Sequence, residues 1–426
     1  MTSSPIQHGG NQYGIRRRLG LGDRPLLDFS VSLNPLGPPP SVLAAARKAI
    51  DRSGEYPEPG CPRLTAKLAA RHNVPEDRVI VGAGTSEIIA LVAQSLREVL
   101  ALHAKEIGNE TMPMAHLIEP TYGEYRRASV LNEMRTQIYR GTTLGWDLDF
   151  LPHAAHGIYW TGNPISPTGR AWERDTLLKK VDAAQGLLVV VDEAYLPFYA
   201  DEAARTVTTA AASRTNLLAL RSVTKIYAMP GIRVGYAIAS ADMVARLRQY
   251  QNPWSVDSPS EAGLIAALDD DEYLERSVDL IEAESAWLTD RLWDLDGVRP
   301  AWPDRVRPDG TPPRPNWVLV SMVDTPWTSV QVHEELARRG ILVRECSNFS
   351  GLEPGSVLTG PNGLEVHTNG HMRFAVRTKP ENDKLLTVLA DILAGKPSPT
   401  IEVKNGHTTH AHVNINGNGV VVNAKR

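Results

Sequence analysis

Ser222, Thr224, Lys225 and Arg233 lie close together in Leu218-Ala219-Leu220-Arg221-Ser222-Val223-Thr224-Lys225-Ile226-Tyr227-Ala228-Met229-Pro230-Gly231-Ile232-Arg233. A lysine beside two hydroxyls, with an arginine eight residues on, is a set able to hold a phosphorylated aldehyde. The amine forms a Schiff base, and the hydroxyls and guanidinium take the phosphate. Val189-Val190-Val191-Asp192-Glu193-Ala194-Tyr195 sets a carboxylate directly after an apolar run. A buried Asp192 needs a partner to stay ionised. A protonated heterocycle nitrogen is such a partner, and Tyr195 on the same turn could reach an oxygen of that ring.

Gly82-Ala83-Gly84-Thr85-Ser86-Glu87 follows Val79-Ile80-Val81. Small residues at a strand end, with Thr85 and Ser86 opening a helix, offer free N–H groups and the positive end of a helix dipole to an anion. The third glycine of a dinucleotide fingerprint is missing, as is the Gly-Lys-Ser/Thr of a P-loop. A cup for a single phosphate and a plain capped turn both remain open. Tyr122, in Glu119-Pro120-Thr121-Tyr122-Gly123, could stack on a flat ring. Asn163-Pro164-Ile165-Ser166-Pro167-Thr168-Gly169 is a double X-Pro turn apt to hold a cis bond.

The elements that must position these residues are strands at intervals of about 20–30 residues: 79–81, 116–119, 136–139, 158–161, 187–191, 217–220 and 234–238. Helical segments between several of them imply an α/β fold with a mostly parallel sheet, so the chemistry should gather at the C-terminal strand ends. Ser41 is expected to cap a helix running to Ile50, and 64–71 to form another. A long helical region over 260–295, interrupted near Asp269-Asp270-Asp271, carries Leu274, Val278, Ile281, Leu288, Leu292 and Leu295 on one face, suited to bracing two domains. Strands at 317–323, 341–344 and 372–377, with helices at 329–339 and 381–393, make a small α+β domain. The expected division is an N-terminal arm over 1–50 packing with the small domain, a large cofactor domain over 51–295, a small domain over 296–395 and a polar tail over 396–426. The tail reads as a hairpin or a flexible extension, and its His407, His410 and His412 as part of that extension rather than a metal site.

The 426 residues carry a net charge of −4, 42% hydrophobic and 22% charged residues, the balance of an ordinary globular protein. No basic surface argues for nucleic acid, and Arg16-Arg17-Arg18 is a lone solvated cluster. Cys61 and Cys346 belong to no ligand-spaced set, which fits a reduced, cytoplasmic setting. No run approaches transmembrane length.

Taken in order, Gly82–Glu87, Tyr122, the Asn163–Gly169 turn, Asp192 with Tyr195, and Ser222, Lys225 and Arg233 resemble fold-type I pyridoxal-phosphate enzymes. More narrowly, the chain resembles the histidinol-phosphate aminotransferase and threonine-phosphate decarboxylase branch of the class I/II aminotransferases. Supporting details are His8-Gly9-Gly10, Ser32-Leu33-Asn34-Pro35-Leu36-Gly37, Tyr56-Pro57-Glu58-Pro59, Pro253-Trp254-Ser255-Val256, Arg344-Glu345-Cys346-Ser347-Asn348-Phe349 and Met372-Arg373-Phe374-Ala375. The resemblance spans 8–393 and implies a large domain with a mostly parallel seven-stranded sheet, a small α+β domain, and pyridoxal 5′-phosphate as cofactor. It implies that Lys225 binds the aldehyde and moves the substrate Cα proton, while Asp192 keeps the pyridine nitrogen protonated. Gly84, Thr85, Ser86, Ser222, Thr224 and Arg233 would hold the phosphate, and Tyr122 would stack on the ring. Tyr195, with Asn163 or Ser166, would serve the ring oxygen. Tyr56 would reach the phosphate in the neighbouring subunit, which requires a homodimer with interfacial sites. Arg373 and Arg344 would grip substrate anions, with Asn34 and His8 also at the substrate.

Two departures from the family pattern stand out. Ser166 replaces the usual Asn of the turn, so either the ring oxygen is left more basic or Asn163 compensates; an altered reaction outcome is expected. The loop over 353–370 looks longer than the family needs. Transamination of an amino acid or amino phosphate is the first expectation. Decarboxylation of a phosphorylated amino acid comes next, then β- or γ-elimination and replacement or oxidation. A different class, the S-x-x-K serine acyl enzymes, matches Ser222-Val223-Thr224-Lys225, but its Lys-Thr-Gly motif is absent downstream.

Overall fold

The computed structural model describes residues 8–106, 113–140, 156–184, 186–302, 315–359 and 365–396. The tail beyond residue 396, with its three histidines, therefore lies outside the described residues. The strands in chain order are β1 (Leu27–Phe29), β2 (Val79–Gly82), β3 (Met114–Glu119), β4 (Arg135–Arg140), β5 (Gly157–Gly162), β6 (Leu187–Asp192), β7 (Leu217–Ser222), β8 (Gly235–Ile238), β9 (Val298–Trp302), β10 (Trp317–Met322), β11 (Ile341–Glu345), β12 (Pro354–Thr359), β13 (Glu365–Asn369) and β14 (His371–Ala375).

Seven of them form one sheet in the order β2-β8-β7-β6-β5-β3-β4, with β8 antiparallel to both neighbours and the other pairs parallel. Leu-Leu-Val-Val-Val in β6 and Leu-Leu-Ala-Leu in β7 are buried throughout, as expected of strands covered on both faces. Val189, Val191, Ala219, Tyr236 and Ile238 fill one layer of core. Val190, Leu188, Leu218, Leu220 and Ala237 fill the other, beneath the helix Thr85–Glu106. This is the α/β architecture expected, with a smaller C-terminal sheet of order β1-β11-β14-β10-β9. The arm contributes β1 to that smaller sheet, parallel to β11.

The long helical region is two helices, Ser258–Ala267 and Asp271–Trp293, broken where Asp270 caps the second through the Tyr273 N–H. Ser41 is not a cap. The helix begins at Pro40 with Pro39 before it and no side-chain cap bond, because two prolines already preset φ and remove donors that would need satisfying. The stretch over 353–370 holds the antiparallel pair β12–β13. Among the described residues, no helix is long and apolar enough to cross a membrane.

Candidate active site

The register of the large sheet brings the suggestive residues to one edge. Gly82 pairs with Gly235, Ser222 with Gly235, and Asp192 with Gly162, so the ends of β2, β5, β6 and β7 align. The Asn163–Gly169 turn leaves β5 there, and both of its X-Pro bonds are cis.

At β2, Gly84 has φ +80°, and a Cβ on it would lie 2.7 Å from Nη2 of Arg233. A Cβ on Gly235 would lie 2.8 Å from the Thr85 nitrogen. Two glycines thus let a guanidinium and a helix N-terminus crowd one spot. Ser222 and Thr224 are buried, their hydroxyls 3.0 Å apart. Lys225 is half-buried, and its Nζ has no hydrogen bond or ion pair among the described residues.

Asp192 is buried; one oxygen accepts from the Ala194 N–H at 2.9 Å and the other from the Tyr125 hydroxyl at 2.9 Å. Burial pushes its pKa up, opposed by those two hydrogen bonds and by the charge of Lys225. Tyr125 is a residue that sequence reasoning missed. It lies three positions after Tyr122 on the helix Gly123–Leu131 and stacks on Trp160 with rings 5.4 Å apart and 4° from parallel. The signal that could have found it is that spacing, which sets Tyr125 in the first turn of the helix that Tyr122 precedes. Tyr122 packs edge-on to Tyr125 at 5.4 Å. Burial raises its hydroxyl to about 12, against a hydrogen bond with Ser86.

Arg373 and Arg344 are register partners on β14 and β11, both buried. Burial, with the charge of Arg373 adding to it, lowers the Arg344 pKa. Two buried guanidiniums side by side suit an anion. Arg344 donates to Asn348 at 2.8 Å, and Arg373 donates to Ser166 Oγ at 2.7 Å. His8 lies 2.8 Å from Glu124 with its ring 5.7 Å from Tyr122, so the arm reaches the mouth of the site.

Two expectations are corrected. Asn163 does not compensate for Ser166: its amide accepts from the Trp172 N–H at 2.8 Å and donates to the carbonyls of Arg205 at 3.1 Å and Trp172 at 3.4 Å, so no donor is left for a ligand. Asn34 likewise donates to the Ile226 carbonyl and Ser277 and accepts from the Leu36 N–H. It braces the Lys225 loop, whose residue 225 carbonyl also accepts the Asn34 N–H at 3.0 Å. Tyr56 is 82% exposed and packs against Trp254 rather than the site of its own chain. Among the described residues, no cluster of side chains is fit to hold a metal.

A model of the aminotransferase class I and II family matches residues 24–357. The chain is 31% identical over 382 residues to a histidinol-phosphate aminotransferase of Symbiobacterium thermophilum, covering 88% of this chain and 92% of that one. It is 29% identical over 397 residues to a threonine-phosphate decarboxylase of Salmonella typhimurium, covering 91% and 97%. In fold it is similar to the histidinol-phosphate aminotransferase of Sinorhizobium meliloti in complex with pyridoxal 5′-phosphate (TM-score 0.73, 19% identity, 92% and 96% covered).

Proposed function

The chain belongs to the aminotransferase class I and II family, and from that premise we propose that it is a pyridoxal 5′-phosphate enzyme that transaminates an amino acid or amino phosphate. The residues fit the cofactor. Gly84 leaves room beside Arg233, the Ser222–Thr224 hydroxyls and the helix starting at Thr85 add donors, and Asp192 supplies a buried carboxylate. Bound there, the cofactor supplies a conjugated, protonated ring that draws electrons from the substrate Cα.

The protein's own groups do the rest. Lys225 Nζ would hold the cofactor's aldehyde and, once free, would serve as the base that moves the substrate Cα proton. Asp192, held by Tyr125 and Ala194, accepts the pyridinium N–H. Tyr195 would donate to the ring oxygen and Tyr122 would cover the ring. Arg373 takes the substrate carboxylate and Arg344 a second anionic group. The observation that carries this reading is that, among the described residues, Lys225 has no side-chain partner and buried Asp192, which feels the Lys225 charge, has no ion pair.

Single-turnover incubation of the holoenzyme with amino acids, histidinol phosphate and O-phosphothreonine tests it. Pyridoxamine 5′-phosphate with a keto product supports transamination; carbon dioxide without them supports decarboxylation, the second reading. That second reading draws on His8 beside Glu124 and on the decarboxylase relative. The exposed Tyr56–Trp254 pair supports a homodimer in which Tyr56 reaches the neighbouring subunit's phosphate. A cytoplasmic setting is supported by Cys61 and Cys346, both buried and unpaired. We take 51–295 as the cofactor domain and 296–395 as the smaller domain that carries both arginines.

A further inference from the structure

Trp317 opens β10 and is 2% exposed. Its Nε1–H donates to the carbonyl of Pro167, 2.8 Å away in the turn after β5. The rings of Trp317 and Tyr195 meet edge to face, with centroids 4.7 Å apart and planes at 70°. The Arg373 guanidinium carbon lies 5.5 Å from the indole centroid. Trp317 pairs with Ala375 and Leu319 with Arg373, so Trp317 and Arg373 are diagonal neighbours on one face of the sheet.

Arg373 is tied down on two nitrogens, to Ser166 Oγ at 2.7 Å and to the Ser30 carbonyl at 3.3 Å, while its buried Nε has no hydrogen-bond partner among the described residues. One indole therefore touches the tyrosine assigned to the ring oxygen, the guanidinium assigned to the substrate carboxylate and the turn that carries Ser166. Trp317 thus bridges Tyr195 and Arg373 through its ring, while Ser166 holds Arg373 by a hydrogen bond.

We propose that Trp317 is a positioning residue that fixes the offset between the Arg373 anion subsite and the Tyr195 side of the cofactor ring, and so selects which Cα bond stands perpendicular to the ring. This rests on the function proposed above. The bond that breaks is the one aligned with the ring's π system, and a tilt of the carboxylate grip exchanges the Cα–H bond for the Cα–carboxylate bond in that place. In the first case the lysine amine takes the proton; in the second, the carboxylate leaves as carbon dioxide and a proton from the lysine ammonium replaces it at Cα.

Trp317→Phe keeps an aromatic ring and removes the N–H donor. The expected result is a KM for the amino donor raised about tenfold, in line with the loss of one buried hydrogen bond, with kcat within about twofold. The ratio of carbon dioxide to keto product should shift by about threefold or more, on the scale of a small misorientation. Affinity of the holoenzyme for succinate, an unreactive dicarboxylate read from cofactor absorbance, should fall in parallel with KM. Ser166→Ala combined with Trp317→Phe should give less than the product of the single effects, because both hold one turn. Lowered thermal stability with unchanged KM, succinate affinity and product ratio would make Trp317 a core residue only and overturn the proposal. So would a collapse of kcat with cofactor loss. If wild-type protein carries no cofactor absorbance, the cofactor reading itself falls first and takes this one with it.

Discussion

Asp192 ends β6 and Glu193 follows it, as Arg221 and Ser222 close β7; adjacent residues there face opposite sides of the sheet, and the two sides treat buried charge differently. On the rear side, Glu193 is wholly buried and accepts from the Val207 N–H at 2.6 Å, Thr206 Oγ1 at 2.7 Å, Thr208 Oγ1 at 2.8 Å and Arg221 Nη1 at 2.9 Å. Arg221 is completed by Glu202. On the front side, Asp192 has two hydrogen bonds and no ion pair among the described residues, and Lys225 acts on it only through space. A buried charge that is fully paired is structural. One left half-paired beside an unpartnered amine marks where a ligand completes the set.

The contrast can be broken most forcefully at Lys225. Lys225→Ala should lower turnover by at least about 10³-fold, since it removes both the covalent anchor and the base; steady-state assay checks this, with the cofactor-free melting temperature unchanged. The rear side should respond in the opposite currency. Arg221→Met leaves Glu193 and Glu202 without their cation and should cost about 3–5 kcal/mol of stability in urea unfolding, with the visible spectrum of the folded holoenzyme preserved.

Asp192→Asn should lower turnover by about 10²-fold through lost stabilisation of the ring's positive charge. It should also flatten a pH dependence. In the cofactor-free protein Asp192 has a folded pKa raised above its unfolded value, so the native state binds more protons in that window and stability falls as pH rises through it. Rear-side His72, held down to about 3 by burial and bonded to Tyr236, has the reverse sign. Its contribution is present above its unfolded pKa of about 6.5 and is lost as pH falls toward the folded value. Urea midpoints measured from pH 4 to 7 should therefore lose the Asp192 component in Asp192→Asn and keep the His72 component. The smallest effect belongs to Tyr125→Phe, which removes one donor to Asp192. Turnover should fall about threefold to tenfold, and the cofactor-free Asp192 should hold its proton to higher pH, measurable by carboxyl-sensitive difference infrared titration.

The strand ends were legible because buried parallel strands are apolar runs, and a polar residue that terminates one, such as Asp192 or Ser222, stands out against the run. The partners of amides were not. Asn34 and Asn163 sit in suggestive motifs, yet their hydrogen-bonding groups are consumed by the backbone of Ile226, Leu36, Trp172 and Arg205, and by Ser277. Residue type gives hydrogen-bonding capacity but not direction. Glu193 was passed over beside Asp192 because a strand's period of two hides which neighbour faces the ligand until the sheet is assembled. The β12–β13 pair reads as a loop in the sequence, since Gly355 and Pro354 at its start signal a break rather than a strand.

The most direct test of the central claim is borohydride reduction of the purified holoenzyme followed by peptide mass spectrometry. A pyridoxyl phosphate adduct confined to the peptide that contains Lys225 is the result this account predicts. An adduct on another lysine, or none, would contradict it.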